Sequence, residues 1–186
     1  MNGETQIGSP PPTIRLEDYK PPAFLVDSVD LSVDLSLPIT TVHTRLQLRR
    51  NPLGEPNASL QLDGDGPDLV SLAINRKPLT PDLYILDDKS LTISDVPDSF
   101  EVETLCQIQP AENTQLSGLY AVANGFCSQC EAEGFRRITF FPDRPDVMST
   151  YRVTLRADKE RCPVLLSNGN LVEQRDLGDG RHQAVW

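Results

Sequence analysis

The chain has 186 residues, enough for one sizeable domain, and its 16 prolines and 11 glycines disfavour long helices. A formal net charge of −10 disfavours binding to nucleic acid, whose phosphates require a basic surface. A cationic ligand fits this charge better.

The first residues contain no apolar segment of the kind found in signal peptides or membrane spans. We therefore expect a cytoplasmic protein without membrane contact. Its cysteines are then expected to be reduced, and Cys106 and Cys162 to be small core or strand residues. We expect residues 1–20 to form a flexible polar leader, because they offer little apolar surface to bury. Residues 21–186 are expected to form one β domain.

Alternating apolar and polar residues predict two long strands at the start of that domain. Val29, Leu31 and Val33 alternate with serine and aspartate, and Pro38 ends the first strand. Residues 41–49 repeat the alternation, with Val42 and its alternate neighbours on the inner face. The two strands are expected to pair as an antiparallel hairpin.

Shorter strands are predicted along the rest of the chain, each bounded by turn residues. They cover residues 59–63, 69–74, 83–86, 91–94, 100–108, 138–141, 151–156, 164–166, 171–174 and 181–186. One helical turn is predicted at 146–149, and Asn168-Gly169 predicts a hairpin turn. Together these elements indicate an all-β sandwich or curved sheet.

Residues 127–145 are the most chemically dense stretch of the sequence. Cys127 and Cys130 have the spacing of half a zinc ribbon, but no second pair of ligands accompanies them, so two reduced thiols are the favoured interpretation. The two histidines, His43 and His182, have no nucleophile motif nearby and are expected to be solvated strand residues.

Glu131 and Glu133 lie between these cysteines and the predicted strand at 138–141. They could be an acid and base pair, or simply solvated carboxylates. A carboxylate in this setting is expected to be partly buried, and a partly buried carboxylate requires a cation beside it. An amine ligand would serve.

Several segments in register carry a resemblance to a known family. The run Cys130-Glu131-Ala132-Glu133-Gly134-Phe135-Arg136 resembles the N-terminal domain of bacterial aminopeptidase N, the alanyl aminopeptidases among the gluzincin-type zinc metallopeptidases. Supporting segments, in the same order as in that domain, include Pro110-Ala111-Glu112-Asn113-Thr114, Asp143-Arg144-Pro145-Asp146-Val147 and Leu165-Leu166-Ser167-Asn168-Gly169-Asn170. The resemblance covers residues 17–186.

The resemblance implies a saddle-like β-sandwich that packs over a thermolysin-like catalytic domain beyond residue 186. The family's zinc-binding His-Glu-x-x-His motif and its Gly-x-Met-Glu-Asn loop do not occur in this sequence. The resemblance therefore implies zinc in the full-length parent, with no catalytic or metal-binding residue in this chain. We expect the isolated chain to be an inactive monomer.

Carried over by position, the resemblance places Glu131 against the free α-amino group of a peptide substrate, with Gln129 in the same site. It implies that the parent releases single N-terminal residues from peptides. Glu133 has no such assignment, and we expect it to pair with Arg136, Arg137 or Arg144. The alternative is a stand-alone acidic β-sandwich that binds a peptide or protein without catalysis.

Overall fold

The computed structural model describes residues 15–186, so residues 1–14 of the predicted leader lie outside the described residues. No helix in the described part is long and apolar enough to cross a membrane. The short helices are 3-10 helices, at Leu16–Asp18, Pro81–Leu83 and Phe135–Arg137. The strands are β1 (Phe24–Leu35), β2 (Thr40–Arg50), β3 (Leu60–Asp63), β4 (Asp68–Ile74), β5 (Lys77–Pro78), β6 (Ile85–Leu86), β7 (Ser90–Ile93), β8 (Ser99–Ile108), β9 (Gly118–Val122), β10 (Gly125–Gln129), β11 (Thr150–Asp158), β12 (Glu173–Gly178) and β13 (Arg181–Val185).

Eight strands form one mixed sheet in the order β12-β13-β11-β1-β2-β8-β4-β5. The pairing of β1 with β11 is parallel, and the other neighbours in this sheet are antiparallel. A second sheet has the order β3-β7-β6, and β9 and β10 form a separate hairpin. The predicted all-β fold class is confirmed.

The predicted hairpin of the first two strands is confirmed. β1 and β2 pair in antiparallel register, and Val42 and Leu48 on β2 face the core. On β1 the buried positions change parity between Val26 and Val29, because the pairing register shifts between Val26 and Ser28. This β-bulge keeps apolar residues three apart on the same face.

The core lies between the large sheet and a second layer made of the three-stranded sheet and residues 135–147. Each fully buried large apolar side chain contributes about 1.5–3 kcal/mol relative to exposure. The second layer is therefore held firmly against the sheet. Its core side chains are Leu60, Leu62, Leu91, Ile93, Ile138, Phe140, Phe141 and Val147.

The strand predicted at residues 138–141 is wrong. Phe141 makes only an isolated bridge, with Asp63, and a 3-10 helix precedes the segment. All four side chains from residue 138 to 141 are buried. In a half-exposed strand the polar side chain of Thr139 would face solvent. In the structure its hydroxyl instead forms a hydrogen bond with the hydroxyl of Thr44, at 2.7 Å, inside the core. The segment is enclosed by other elements instead of pairing along a sheet.

The hairpin predicted at Asn168-Gly169 is also wrong. Residues 164–166 form no strand, and Leu165 is buried in a small cluster with Cys162 and Ala184. The turn that joins β12 to β13 is instead Asp179-Gly180, where both residues have positive φ, 49° and 76°. Positive φ at both central residues is the requirement of a type I′ hairpin.

The helical turn predicted at residues 146–149 is absent from the described structure. The chain makes one tight turn there, in which the amide of Val147 donates to the carbonyl of Arg144 at 3.2 Å. Pro145 within this turn limits its backbone freedom. The segment returns directly to the start of β11.

Candidate functional site

The dense stretch starts as a strand, since β10 pairs with β9 in a hairpin that the sequence pattern did not indicate. Residues 131–134 then form a turn that leads into the 3-10 helix Phe135–Arg137. The amide of Gly134 donates to the carbonyl of Cys130 at 2.7 Å, and the amide of Arg137 donates to the carbonyl of Gly134 at 3.1 Å. The turn is thus tied at both ends.

Two glycines allow this turn to pack on the hairpin. A Cβ on Gly134 would lie 2.8 Å from the Cα of Cys130, and a Cβ on Gly118 would lie 2.6 Å from the Cβ of Arg137. Real Cβ atoms do not approach so closely, so no larger residue fits without a shift of the backbone. The close approach fixes where residue 131 emerges from the turn.

Glu131 and Gln129 lie at the end of β10 and the start of the turn, and both are exposed. The peptide bond between Glu131 and Ala132 is cis. Partial burial of the Glu131 carboxylate, expected from the sequence, is wrong, because Glu131 lies on the exposed side of the turn and Gly134 is the residue that is buried against the hairpin. Among residues 15–186, no side chain pairs with the Glu131 carboxylate. This carboxylate is available to a ligand.

Glu133 has a different role, because it joins a charge network centred on Arg136. The Arg136 guanidinium lies 3.5 Å from the Glu133 carboxylate, 3.1 Å from that of Asp143 and 3.8 Å from that of Asp63. The predicted pairing of Glu133 with Arg136 is confirmed. Burial alone would lower the pKa of Arg136, but the hydrogen bond to Asp143 and the neighbouring carboxylates raise it above its ordinary value. The guanidinium therefore stays charged and holds the turn in place.

Beyond the pair of Glu133 and Arg136, the sequence alone did not indicate the members of this network. As a sequence, Asp63-Gly64-Asp65-Gly66 indicates only a turn, yet Asp65 pairs with Arg137 at 2.5 Å. The side chain of Asp63 accepts from the amide of Asp143 at 3.0 Å. These carboxylates are distant in sequence from residues 131–137, so only the tertiary packing brings them there.

A cavity of about 330 Å³ adjoins the turn. A larger groove of about 840 Å³ lies on the far side of Arg136 and Glu133, which line both spaces, but it does not include Glu131. The smaller cavity is therefore the candidate site. Its charged lining residues are Asp65, Lys89, Glu131, Glu133, Arg136 and Arg137.

Of the two cysteines near the site, Cys130 is not an activated nucleophile. Cys127 is exposed on β10 and Cys130 is half-buried. Burial, and next the charge of Asp143, raises the pKa of Cys130 to about 11, so its thiol is protonated at neutral pH. Cys106 is buried in β8 and Cys162 is buried beside β13, which confirms both as buried residues.

The two histidines differ in their surroundings. His43 is half-exposed on β2, with its Nε2 2.7 Å from the Glu103 carboxylate, and so agrees with the expected strand position. The expected solvation of His182 is wrong. Its side chain is buried, and its Nε2 donates to the carbonyl of Cys162 at 2.7 Å. Neither histidine lies in the candidate site.

No group of three or more His, Cys, Asp or Glu side chains within residues 15–186 is placed to hold a metal ion. Of the carboxylates around the cavity, Glu133 and Asp65 are engaged by Arg136 and Arg137. This donor set does not fit a zinc site, whose ligands are nitrogen, sulfur or oxygen atoms converging on one point.

Residues 29–186 match the family model of the peptidase M1 N-terminal domain. Aminopeptidase N of Caulobacter vibrioides is 46% identical over 176 residues, which make up 95% of this chain and 20% of that protein. Aminopeptidase N of Escherichia coli is 41% identical over 169 residues, or 91% of this chain and 19% of that protein. The chain thus spans about a fifth of the length of these relatives.

Solved structures show the same fold. Aminopeptidase A of Legionella pneumophila, solved in complex with aspartic acid, matches with a TM-score of 0.87 at 38% identity, covering 93% of this chain and 20% of that one. An M1 zinc metallopeptidase from Deinococcus radiodurans matches with a TM-score of 0.73 at 16% identity, covering 90% of this chain and 39% of that one. The second likeness concerns the fold alone.

Proposed function

This chain belongs to the M1 peptidase family as its N-terminal domain, and from that premise we propose that it binds the free α-amino group of peptide substrates for a zinc-dependent aminopeptidase. The resemblance first identified from residues 130–136 is confirmed at the level of the family. The substrate, the activity of the full-length protein and the residues that contact the substrate belong to the proposal.

The observation that carries the proposal is the unpaired, exposed carboxylate of Glu131 on a turn whose backbone is fixed. The neighbouring carboxylate of Glu133 is engaged by Arg136 at 3.5 Å, so of these two only Glu131 is available to a cation from outside. An ammonium group exists at the start of a peptide but not within it. A charge-assisted bond to that group therefore distinguishes a terminal residue from an internal one.

Gln129 supports the same function. It lies two residues before Glu131 at the end of β10, and its side chain is exposed. A side-chain amide both donates and accepts hydrogen bonds, so it can orient the backbone of a peptide whose ammonium group is held by Glu131. In this proposal Glu131 fixes the distance from the amino terminus to the bond that is cleaved.

The chain supplies binding and not the hydrolytic step. The residues that hold zinc would lie outside the described part, in a catalytic domain of the same polypeptide. Several exposed apolar side chains between residues 164 and 177 support such a domain as a packing partner, because contact with protein would remove them from water. They are Val164, Leu166, Leu171, Val172 and Leu177.

The test is a comparison of Glu131→Gln with Glu133→Gln in the full-length enzyme, using an alanyl chromogenic substrate. Glu131→Gln keeps the shape and removes the charge, so kcat/KM should fall by about 30- to 1000-fold, equivalent to about 2–4 kcal/mol. Glu133→Gln should lower the melting temperature but change kcat/KM far less. A Glu131→Gln enzyme with near-parental kcat/KM contradicts the proposal, and a parental protein that binds peptides without cleaving them favours the stand-alone binding module.

A further inference from the structure

The charges that line the small cavity are not all neutralised within the chain. Arg137 pairs with Asp65 at 2.5 Å, and Arg136 is engaged by three carboxylates. Within the described residues, the amino group of Lys89 has no carboxylate within ion-pairing distance. The cavity therefore presents one unpaired cation, Lys89, and one unpaired anion, Glu131.

Lys89 is presented by a turn that is held on two sides. Its amide donates to the carboxylate of Asp87 at 2.9 Å, and the hydroxyl of Ser90 donates to the same carboxylate at 2.8 Å. Its carbonyl accepts from the amide of Gly64 at 2.9 Å, which ties the turn to the loop after β3. The backbone of Lys89 is thus fixed relative to the cavity, although its side chain is exposed.

The bond from the Lys89 amide also contributes most to keeping the pKa of Asp87 below its ordinary value, and the Ser90 hydroxyl contributes next. Asp87 therefore remains an ionised acceptor at neutral pH. The two hydrogen bonds to the Asp87 carboxylate are therefore kept at neutral pH.

We propose that Lys89 is a specificity-determining residue that pairs with an acidic side chain on the first residue of a peptide held by Glu131. The inference rests on the proposed function, because it places the ammonium group of the peptide on Glu131. When Glu131 holds the ammonium group, Lys89 is the remaining unpaired charge of the cavity, and the side-chain carboxylate of the substrate can form an ion pair with it. A cavity of about 330 Å³ has room for one side chain and excludes a long segment of peptide.

The physical effect is electrostatic and modest in size. Lys89 is exposed, and exposed ion pairs contribute little. Lys89 should therefore favour a glutamyl over a glutaminyl first residue by about two- to fivefold in kcat/KM. These two residues have nearly the same shape, so their ratio isolates the charge.

The experiment uses the full-length enzyme and three chromogenic substrates whose first residue is glutamate, glutamine or alanine. Lys89→Met should lower the glutamyl-to-glutaminyl ratio of kcat/KM by about two- to fivefold, and the alanyl substrate reports any general loss of activity. Lys89→Arg should retain the ratio, because the cation remains. Lys77→Met, at an exposed lysine on β5 outside this cavity, controls for the change in total charge.

A Lys89→Met enzyme that keeps the parental ratio overturns the assignment of Lys89, whatever Glu131→Gln does. An equal change in the ratio for Lys77→Met also overturns it, because the effect would then come from total charge. A Glu131→Gln enzyme with unchanged kcat/KM on all three substrates instead overturns the proposed function, and this inference with it.

Discussion

A Cβ on Gly134 would sit 2.5 Å from the carbonyl oxygen of Gln129, so the turn that carries Glu131 packs directly on the strand that carries Gln129. The two candidate substrate-binding residues are therefore linked through the backbone and not through their side chains. A change at either end of the turn is expected to move one of them relative to the other.

Gly134→Ala should lower both stability and activity. Overpacking costs about 1–3 kcal/mol, and relief of the contact should displace Glu131 and reduce kcat/KM per folded molecule. Urea unfolding and steady-state kinetics of the full-length enzyme measure the two effects. Gly169→Ala is the control, because Gly169 has positive φ but no atom within 4 Å of the added Cβ. Gly169→Ala should lower the free energy of unfolding and leave kcat/KM per folded molecule unchanged. Equal losses of kcat/KM in both variants would contradict a backbone link between Gln129 and Glu131.

Gly64→Ala should strongly destabilise the second layer. The added Cβ would lie 2.2 Å from the ring of Phe140, which is buried and cannot turn away. We expect a loss of about 2–4 kcal/mol in the free energy of unfolding. Phe140→Leu makes room, so the double variant should lose less than the sum of the two single variants. Strictly additive losses would show that the contact is relieved in another way.

Arg136→Met should cost about 2–4 kcal/mol of stability, since it leaves the buried Asp143 carboxylate without its partner. Arg45→Met is the matched control, because Arg45 forms an exposed pair with Asp30 at 2.8 Å. That pair should contribute less than about 1 kcal/mol. Denaturant unfolding measures the free energy of unfolding of both variants. Similar losses would mean that the Arg136 network contributes no more to stability than an exposed ion pair.

The free energy of unfolding should fall between pH 9 and pH 11. Burial raises the pKa of Cys106 from 9.0 to about 11, so the folded state keeps a proton that the unfolded state has released. The stabilisation is complete below pH 9 and is lost as pH rises toward 11, with a slope of up to about 1.4 kcal/mol per pH unit. Cys130 contributes in the same direction.

Urea unfolding at pH 8, 9, 10 and 11 under reducing conditions checks this prediction. Cys106→Ala should be less stable at pH 8 because a buried side chain is truncated, but its stability should decline less steeply above pH 9. A parental protein whose stability is constant from pH 9 to 11 would contradict the assignment.

The sequence predicted what depends on local alternation. β1 and β2 are long and have one polar face, so their burial and pairing follow from the pattern itself. The choice between two turn signals did not follow. Asn168-Gly169 and Asp179-Gly180 are both favourable hairpin turns by residue type, but of the two it is Asp179-Gly180 whose flanking residues pair as strands.

The candidate site was predictable only in part. Glu131 and Gln129 came from the resemblance to a family, and Arg136 was one of three arginines expected to pair with Glu133. Lys89 and Asp65 could not be found, because they lie on loops that reach the turn only after the second layer has packed. The strand predicted at residues 138–141 failed for a related reason, since enclosure by other elements replaced sheet pairing there.

The parallel pairing of β1 with β11 also affects the order in which the chain can fold during synthesis. One edge of β1 meets β2 almost at once, but the other waits for a strand that begins at residue 150. At about 5–20 residues per second, that edge stays open for on the order of ten seconds. An open edge can recruit a strand from another nascent chain, and charges along it oppose such pairing. Asp27 and Asp30 of β1 are paired with Arg49 and Arg45 of β2 at 2.9 and 2.8 Å, whereas Asp34 pairs with Arg181 of β13. A growing chain therefore keeps the charge of Asp34 unmatched by this arginine, at the end of the open edge, until residue 181 has been made.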